Sequence, residues 1–204
     1  MRKRVAILIS GRGSNMEALI AAAKDGAYPA EIALVISNRA DAAGLAFAES
    51  CGIEALAIPH KSFESREAHD AAINAALKAA EAEIICLAGY MRIMTPGLIE
   101  KWAGKMINIH PSLLPAFPGL HTHVRALEAG VAEHGCTVHF VTQGVDEGPV
   151  IARASVPVLA ADTAEALAAR VLAAEHQLYP AALRLVAEGV VRMEDGQAMF
   201  VAAP

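Results

Sequence analysis

The chain has 204 residues, is 55% hydrophobic with only 4% aromatic, and carries a formal net charge of −5. That length suits one domain around an Ala, Val, Ile and Leu core. The acidic balance, with no cationic run longer than Arg2-Lys3-Arg4, argues against an electrostatic nucleic-acid footprint. No apolar run approaches the ~20 residues that span a bilayer, and the apolar stretch 5–9 is too short for a secretory leader. Cys51, Cys86 and Cys136 are odd in number and far apart, which suits a reducing cytoplasm and small buried side chains.

The first half alternates strand and helix patterns. Residues 5–9 read as a strand, followed by a glycine loop and a helix to about Lys24. Strands are expected at 32–37, 54–58, 84–88 and 105–110, with helices at 42–50, from an N-cap at Ser62 to about Ala80, and briefly after Pro96. This rhythm predicts an α/β fold, with a mostly parallel, doubly wound, Rossmann-like sheet and helices on both faces. The pattern then changes. Segments 136–142 and 150–156 suit an antiparallel pair. Asp162, with Glu165 three residues later, reads as a capping box. The helix it opens runs toward Tyr179-Pro180, where a second helical segment is expected. Asp195-Gly196 joins the short strands 190–193 and 198–201 as a hairpin and completes an antiparallel C-terminal portion. No repeat or linker divides residues 1–204.

Gly11-Arg12-Gly13-Ser14-Asn15 lies where the first strand enters the first helix. Backbone N–H groups at a helix start attract phosphate, and glycine allows close approach. Met16 occupies the third glycine position of the dinucleotide fingerprint, and Ser37-Asn38 stand where that fold carries an acidic residue. The loop therefore suits a single phosphate.

The most informative segment is Asn108-Ile109-His110-Pro111-Ser112-Leu113-Leu114-Pro115. Residues i and i+2 of a strand share a face, so Asn108 and His110 can aim at one reacting centre. An amide donating to a developing oxyanion, beside an imidazole that moves a proton, is the minimum equipment for acyl transfer. Asp146, in the Gly/Asp-rich loop 143–149, is a carboxylate that can orient such an imidazole. His121-Thr122-His123 lacks partners at metal-site spacing, so no metal is expected. His60, His69, His134 and His139 read as surface or packing residues. Residues 87–94 leave a buried strand through Gly89 and suit an apolar slot for a flat heterocycle.

Taken together, Gly-Arg-Gly-Ser-Asn at 11–15, Ser-Arg-Glu-Ala at 65–68, Leu-Ala-Gly-Tyr-Met-Arg-Ile-Met at 87–94, the 108–115 motif, Pro-Gly-Leu-His-Thr-His at 118–123 and Asp146 closely resemble the folate-dependent phosphoribosylglycinamide formyltransferases. The resemblance spans essentially the whole chain. It implies transfer of a formyl group from 10-formyltetrahydrofolate to the glycine amine of 5-phosphoribosylglycinamide in purine synthesis. By motif, Gly13, Ser14 and Asn15 would hold the phosphate, and Glu175 would meet the glycinamide end. Arg66, Met91, Arg92, Ile93, Met94 and Asn108 would bind the folate, and Asn108, His110 and Asp146 would be catalytic. The resemblance further implies a cytoplasmic monomer or weak homodimer, with no metal, nucleic-acid or membrane partner. Formyltetrahydrofolate deformylases share the Asn-His-Asp set but add an N-terminal domain, and methionyl-tRNA formyltransferases add a nucleic-acid-binding domain; neither fits in 204 residues. A non-catalytic ribonucleotide-binding module would have no reason to keep Asn108, His110 and Asp146 together.

Overall fold

The structure, a computed structural model, describes residues 1–201. Its strands β1 (Lys3–Ile9), β2 (Ala30–Ser37), β3 (Glu54–Ala57), β4 (Ile84–Leu87), β5 (Met106–His110), β6 (Glu133–Phe140) and β7 (Val150–Pro157) form one sheet in the order β3-β2-β1-β4-β5-β6-β7. The first five are parallel, and β6 and β7 are antiparallel additions. A separate hairpin, β8 (Val191–Glu194) with β9 (Gln197–Phe200), turns through Asp195 and Gly196, both at positive φ.

Alternation along β1 divides its buried side chains between the two faces of the sheet. Val5, Ile7 and Ile9 of β1 pack with α1 (Ser14–Ala23), α2 (Ala43–Ser50) and α6 (Ala164–Ala187) on one face. Ala6 and Leu8 pack with α3 (Arg66–Ala79) and α4 (Pro96–Lys101) on the other. A buried Leu or Ile contributes about 1.5–3 kcal/mol relative to its exposed state. The double-sided burial therefore explains why β1 and β4 are continuous apolar runs. The winding reverses between β1 and β4, which opens a crevice beyond their carboxyl ends.

Three expectations need correction. The cap of α3 is Ser65, whose side chain accepts from the Ala68 N–H at 3.0 Å. Ser62 instead closes a 3-10 turn, because Phe63 stays extended and sets its ring edge-on to His69. The cap of α6 is Thr163, so Glu165 sits one position early for a reciprocal box. Asp162 accepts from the Leu159 N–H and pairs with Arg170. Finally, α6 runs unbroken through Pro180. Tyr179, Ala182 and Leu183 are fully buried around the proline, and the Tyr28 hydroxyl donates to its carbonyl at 2.7 Å. This packing outweighs the roughly 3 kcal/mol penalty of an internal proline. A seven-residue helix that the sequence pattern did not signal, α5 (Thr122–Glu128), fills the gap before β6.

Candidate active site

Asn108 and His110 stand on the same face of β5, which ends at the crevice. His110 is buried, and both of its ring nitrogens face oxygen. Nδ1 is 3.3 Å from the Asp146 carboxylate, and Nε2 is 3.1 Å from the Phe117 carbonyl. Asp146 arrives from the loop between β6 and β7 with φ at 56°, a left-handed conformation that Asp tolerates better than most residues. The Gly119 N–H donates to its Oδ2 at 2.8 Å. The structure thus brings together an amide, an imidazole and a carboxylate from two distant segments. Such an arrangement is chemically able to pair general acid–base action with an oxyanion donor.

His139 completes the cluster. Cross-strand pairing sets it opposite Asn108, with Nε2 at 3.2 Å from the amide nitrogen and 3.8 Å from Asp146 Oδ1. Burial holds its pKa below the ordinary 6.5.

The glycine loop lies at the crevice end of β1. Gly13, at φ 75°, is the left-handed N-cap of α1 and leaves the first-turn N–H groups of Ser14 and Asn15 outside the helix ladder. The Asn15 side chain turns inward, and its amide donates to Glu175 at 2.7 Å. Glu175 is held one turn before Tyr179, whose hydroxyl shares its hydrogen between the carbonyls of Leu87, the last residue of β4, and Ile107, near the start of β5. Burial raises the Glu175 pKa above 4.5, and the Asn15 hydrogen bond opposes that shift.

Beyond the end of β4, Gly89 at φ 72° begins the segment that carries Met91, Arg92, Ile93 and Met94. The Met91 N–H donates to Ser10 Oγ at 2.8 Å, and Ser10 in turn donates to Asn38. Met91 and Ile93 are 66% and 61% exposed, whereas Met94 belongs to the core. The Asp70 carboxylate accepts from the Thr95 N–H at 2.7 Å and ties this segment to α3, where exposed Arg66 is the first residue. Among the described residues, no group of three or more His, Cys, Asp or Glu side chains is placed to hold a metal, and no helix is long and apolar enough to cross a membrane.

The sequence profile of the Formyl transferase family matches residues 3–183. The phosphoribosylglycinamide formyltransferase of Escherichia coli (strain K12) is 44% identical over 194 residues, covering 95% of this chain and 92% of that protein. The chain belongs to the phosphoribosylglycinamide formyltransferases. A solved phosphoribosylglycinamide formyltransferase from Brucella melitensis superposes on this chain with a TM-score of 0.89 at 59% identity, covering 92% of this chain and 96% of that one. A trifunctional purine biosynthetic protein of Drosophila pseudoobscura pseudoobscura is 53% identical over 94% of this chain. The chain spans 14% of that protein's length.

Two residues around the crevice carried no local signal. A Cβ on Gly44 would lie 2.5 Å from Ile9 Cδ1 and 2.8 Å from the Arg12 carbonyl, so only glycine lets α2 pack against the 11–13 loop. His139 reads as packing in the sequence, because its neighbour Asn108 is set by the β5–β6 register and not by spacing.

Proposed function

We propose that the protein transfers the formyl group of 10-formyltetrahydrofolate to the glycine amine of 5-phosphoribosylglycinamide, as a cytoplasmic step of de novo purine synthesis. The observation that carries this reading is the convergence of Asn108, His110 and Asp146 at the crevice of a chain in this family. The first-turn N–H groups at Ser14 and Asn15 suit the ribonucleotide phosphate. Glu175 suits the glycinamide end. Exposed Met91 and Ile93, on a segment pinned by Ser10, suit the flat folate ring, with Arg66 and Arg92 available for its carboxylates.

In this reading the amine attacks the formyl carbon, and the carbonyl pair moves onto oxygen. The Asn108 amide N–H and a protonated His110, held by Asp146 at Nδ1 and turning its Nε2–H from the Phe117 carbonyl to the substrate, stabilise that oxyanion. Collapse of the intermediate breaks the carbon–N10 bond. N10 takes a proton from His110 or through a relayed water, and the former amine gives one up. The products are tetrahydrofolate and the N-formylglycinamide ribonucleotide. Absorbance of the donor, followed with and without 5-phosphoribosylglycinamide, tests the reading. Loss only in its presence is expected. Loss without it would identify a hydrolase, and no loss in either case would leave a binding role.

A further inference from the structure

His139 is a buried imidazole against Asn108 that the reaction as proposed leaves unused. Its surroundings fix its hydrogen. The register of β6 against β7 shifts between Val138 and His139, and at this irregularity the ring's Nδ1 lies 2.9 Å from the carbonyl of Phe140. Room for that contact is provided opposite. A Cβ on Gly148 would lie 1.7 Å from the Phe140 oxygen and 3.1 Å from Nδ1. A carbonyl only accepts, so Nδ1 carries the hydrogen. The ring is 3% exposed and its burial disfavours the charged form, which leaves Nε2 as a bare acceptor. The Asn108 amide nitrogen, 3.2 Å away, donates to it. Turning Asn108 over would set its Oδ1 against Nε2, two acceptors face to face.

We propose that His139, as the Nδ1–H tautomer, is a positioning residue that locks the Asn108 amide so that its remaining N–H, and not its carbonyl oxygen, meets the reacting formyl oxygen. The uncharged ring also leaves Asp146 to His110, because an imidazolium 3.8 Å from Asp146 would compete for the carboxylate. This inference rests on Asn108 acting as the oxyanion donor.

The test compares His139→Met, which keeps the reach but cannot accept, with His139→Gln, whose Oε1 can accept where Nε2 did. Steady-state formyl transfer is measured with both substrates varied, and thermal melts confirm folding. His139→Met should lower kcat on the order of 10- to 100-fold with both KM values within about 2-fold. His139→Gln should recover most of that loss. In an Asn108→Ala background, His139→Met should cost less than about 2-fold more, because its effect passes through Asn108. Near-wild-type kcat for His139→Met, equal losses for Met and Gln, or losses that multiply with Asn108→Ala would overturn the inference. Should the Met variant fail to fold, a Gln variant below about a tenth of wild-type kcat overturns it. Full activity in Asn108→Ala alone overturns both this inference and the proposed role of Asn108. An inactive Asn108→Ala beside a normal His139→Met overturns only the role of His139.

Discussion

At the scale of single residues, Asp146 and Glu175 are two carboxylates with opposite work. Asp146 accepts from Gly119 and faces His110, so its value lies in its charge. Asn tolerates the same left-handed backbone and can still accept from Gly119. Asp146→Asn should therefore keep the melting temperature within a few degrees while kcat falls on the order of 100-fold or more, the usual scale for a lost acid–base function. Near-normal turnover would sink the role. Glu175 is buried against Asn15, and its pKa is raised. A carboxyl with a raised folded pKa contributes stability below its unfolded value and loses it as pH climbs through the folded one. Glu175→Gln should thus match the wild type in acid, near and below the ordinary value of 4.5, and melt at higher temperature than the wild type toward neutral pH. The same variant should raise KM for 5-phosphoribosylglycinamide. Melts across that pH range check the first part, and initial rates check the second. A Gln variant less stable at neutral pH would show that the charged form is favoured in the fold.

At the scale of elements, the glycine loop is shaped from behind by α2. Gly44 leaves no space for a methyl group against Ile9 and Arg12, and its N–H donates to the Gly11 carbonyl at 3.1 Å. Gly44→Ala should cost about 1–3 kcal/mol of stability by overpacking. It should also raise KM for the phosphorylated substrate more than KM for the folate. Urea unfolding and steady-state kinetics test this, and an equal rise in both constants would mean the strain spreads beyond the loop. What the sequence made legible, and what it did not, follows the same division. Asn108 and His110 share a face because one strand has a period of two, which is a local fact. Asp146 shares their site because a loop folds back from β6, and His139 shares it because of strand register; neither leaves a trace in spacing. The same holds for elements. The strands buried on both faces were legible as apolar runs, whereas α5 is too short to show a period. The continuity of α6 through Pro180 depends on Tyr28 and Tyr179 contacts made across the fold.

At the scale of the whole molecule, buried histidines couple the stability of this fold to pH. His134 is pushed down from 6.5 to about 4, first by burial and then by the charges of His123 and His110, against a Pro111 carbonyl that favours its protonated form. His123, whose ring meets that of His134 edge-on at 5.3 Å, and His139 are shifted in the same direction, with burial as the leading cause in each. A folded pKa below the unfolded one means that the unfolded chain binds protons that the native chain refuses. Stability from these residues is therefore complete above about pH 6.5 and declines as acid approaches the folded values, which His134 sets near 4. The raised Glu175 pushes the other way, gaining stability as pH falls through its folded value toward 4.5, but it is one carboxyl against three imidazoles. Between pH 7 and 5 the histidines should dominate, and unfolding should take up protons. Urea unfolding at several pH values, with a constant slope against denaturant, should show stability falling over that interval. His134→Gln should flatten the fall without removing it, since His123 and His139 still titrate. A wild-type protein equally stable at pH 7 and pH 5 would mean that these rings accept protons in the native state, with the His123–His134 contact rearranging to let them in.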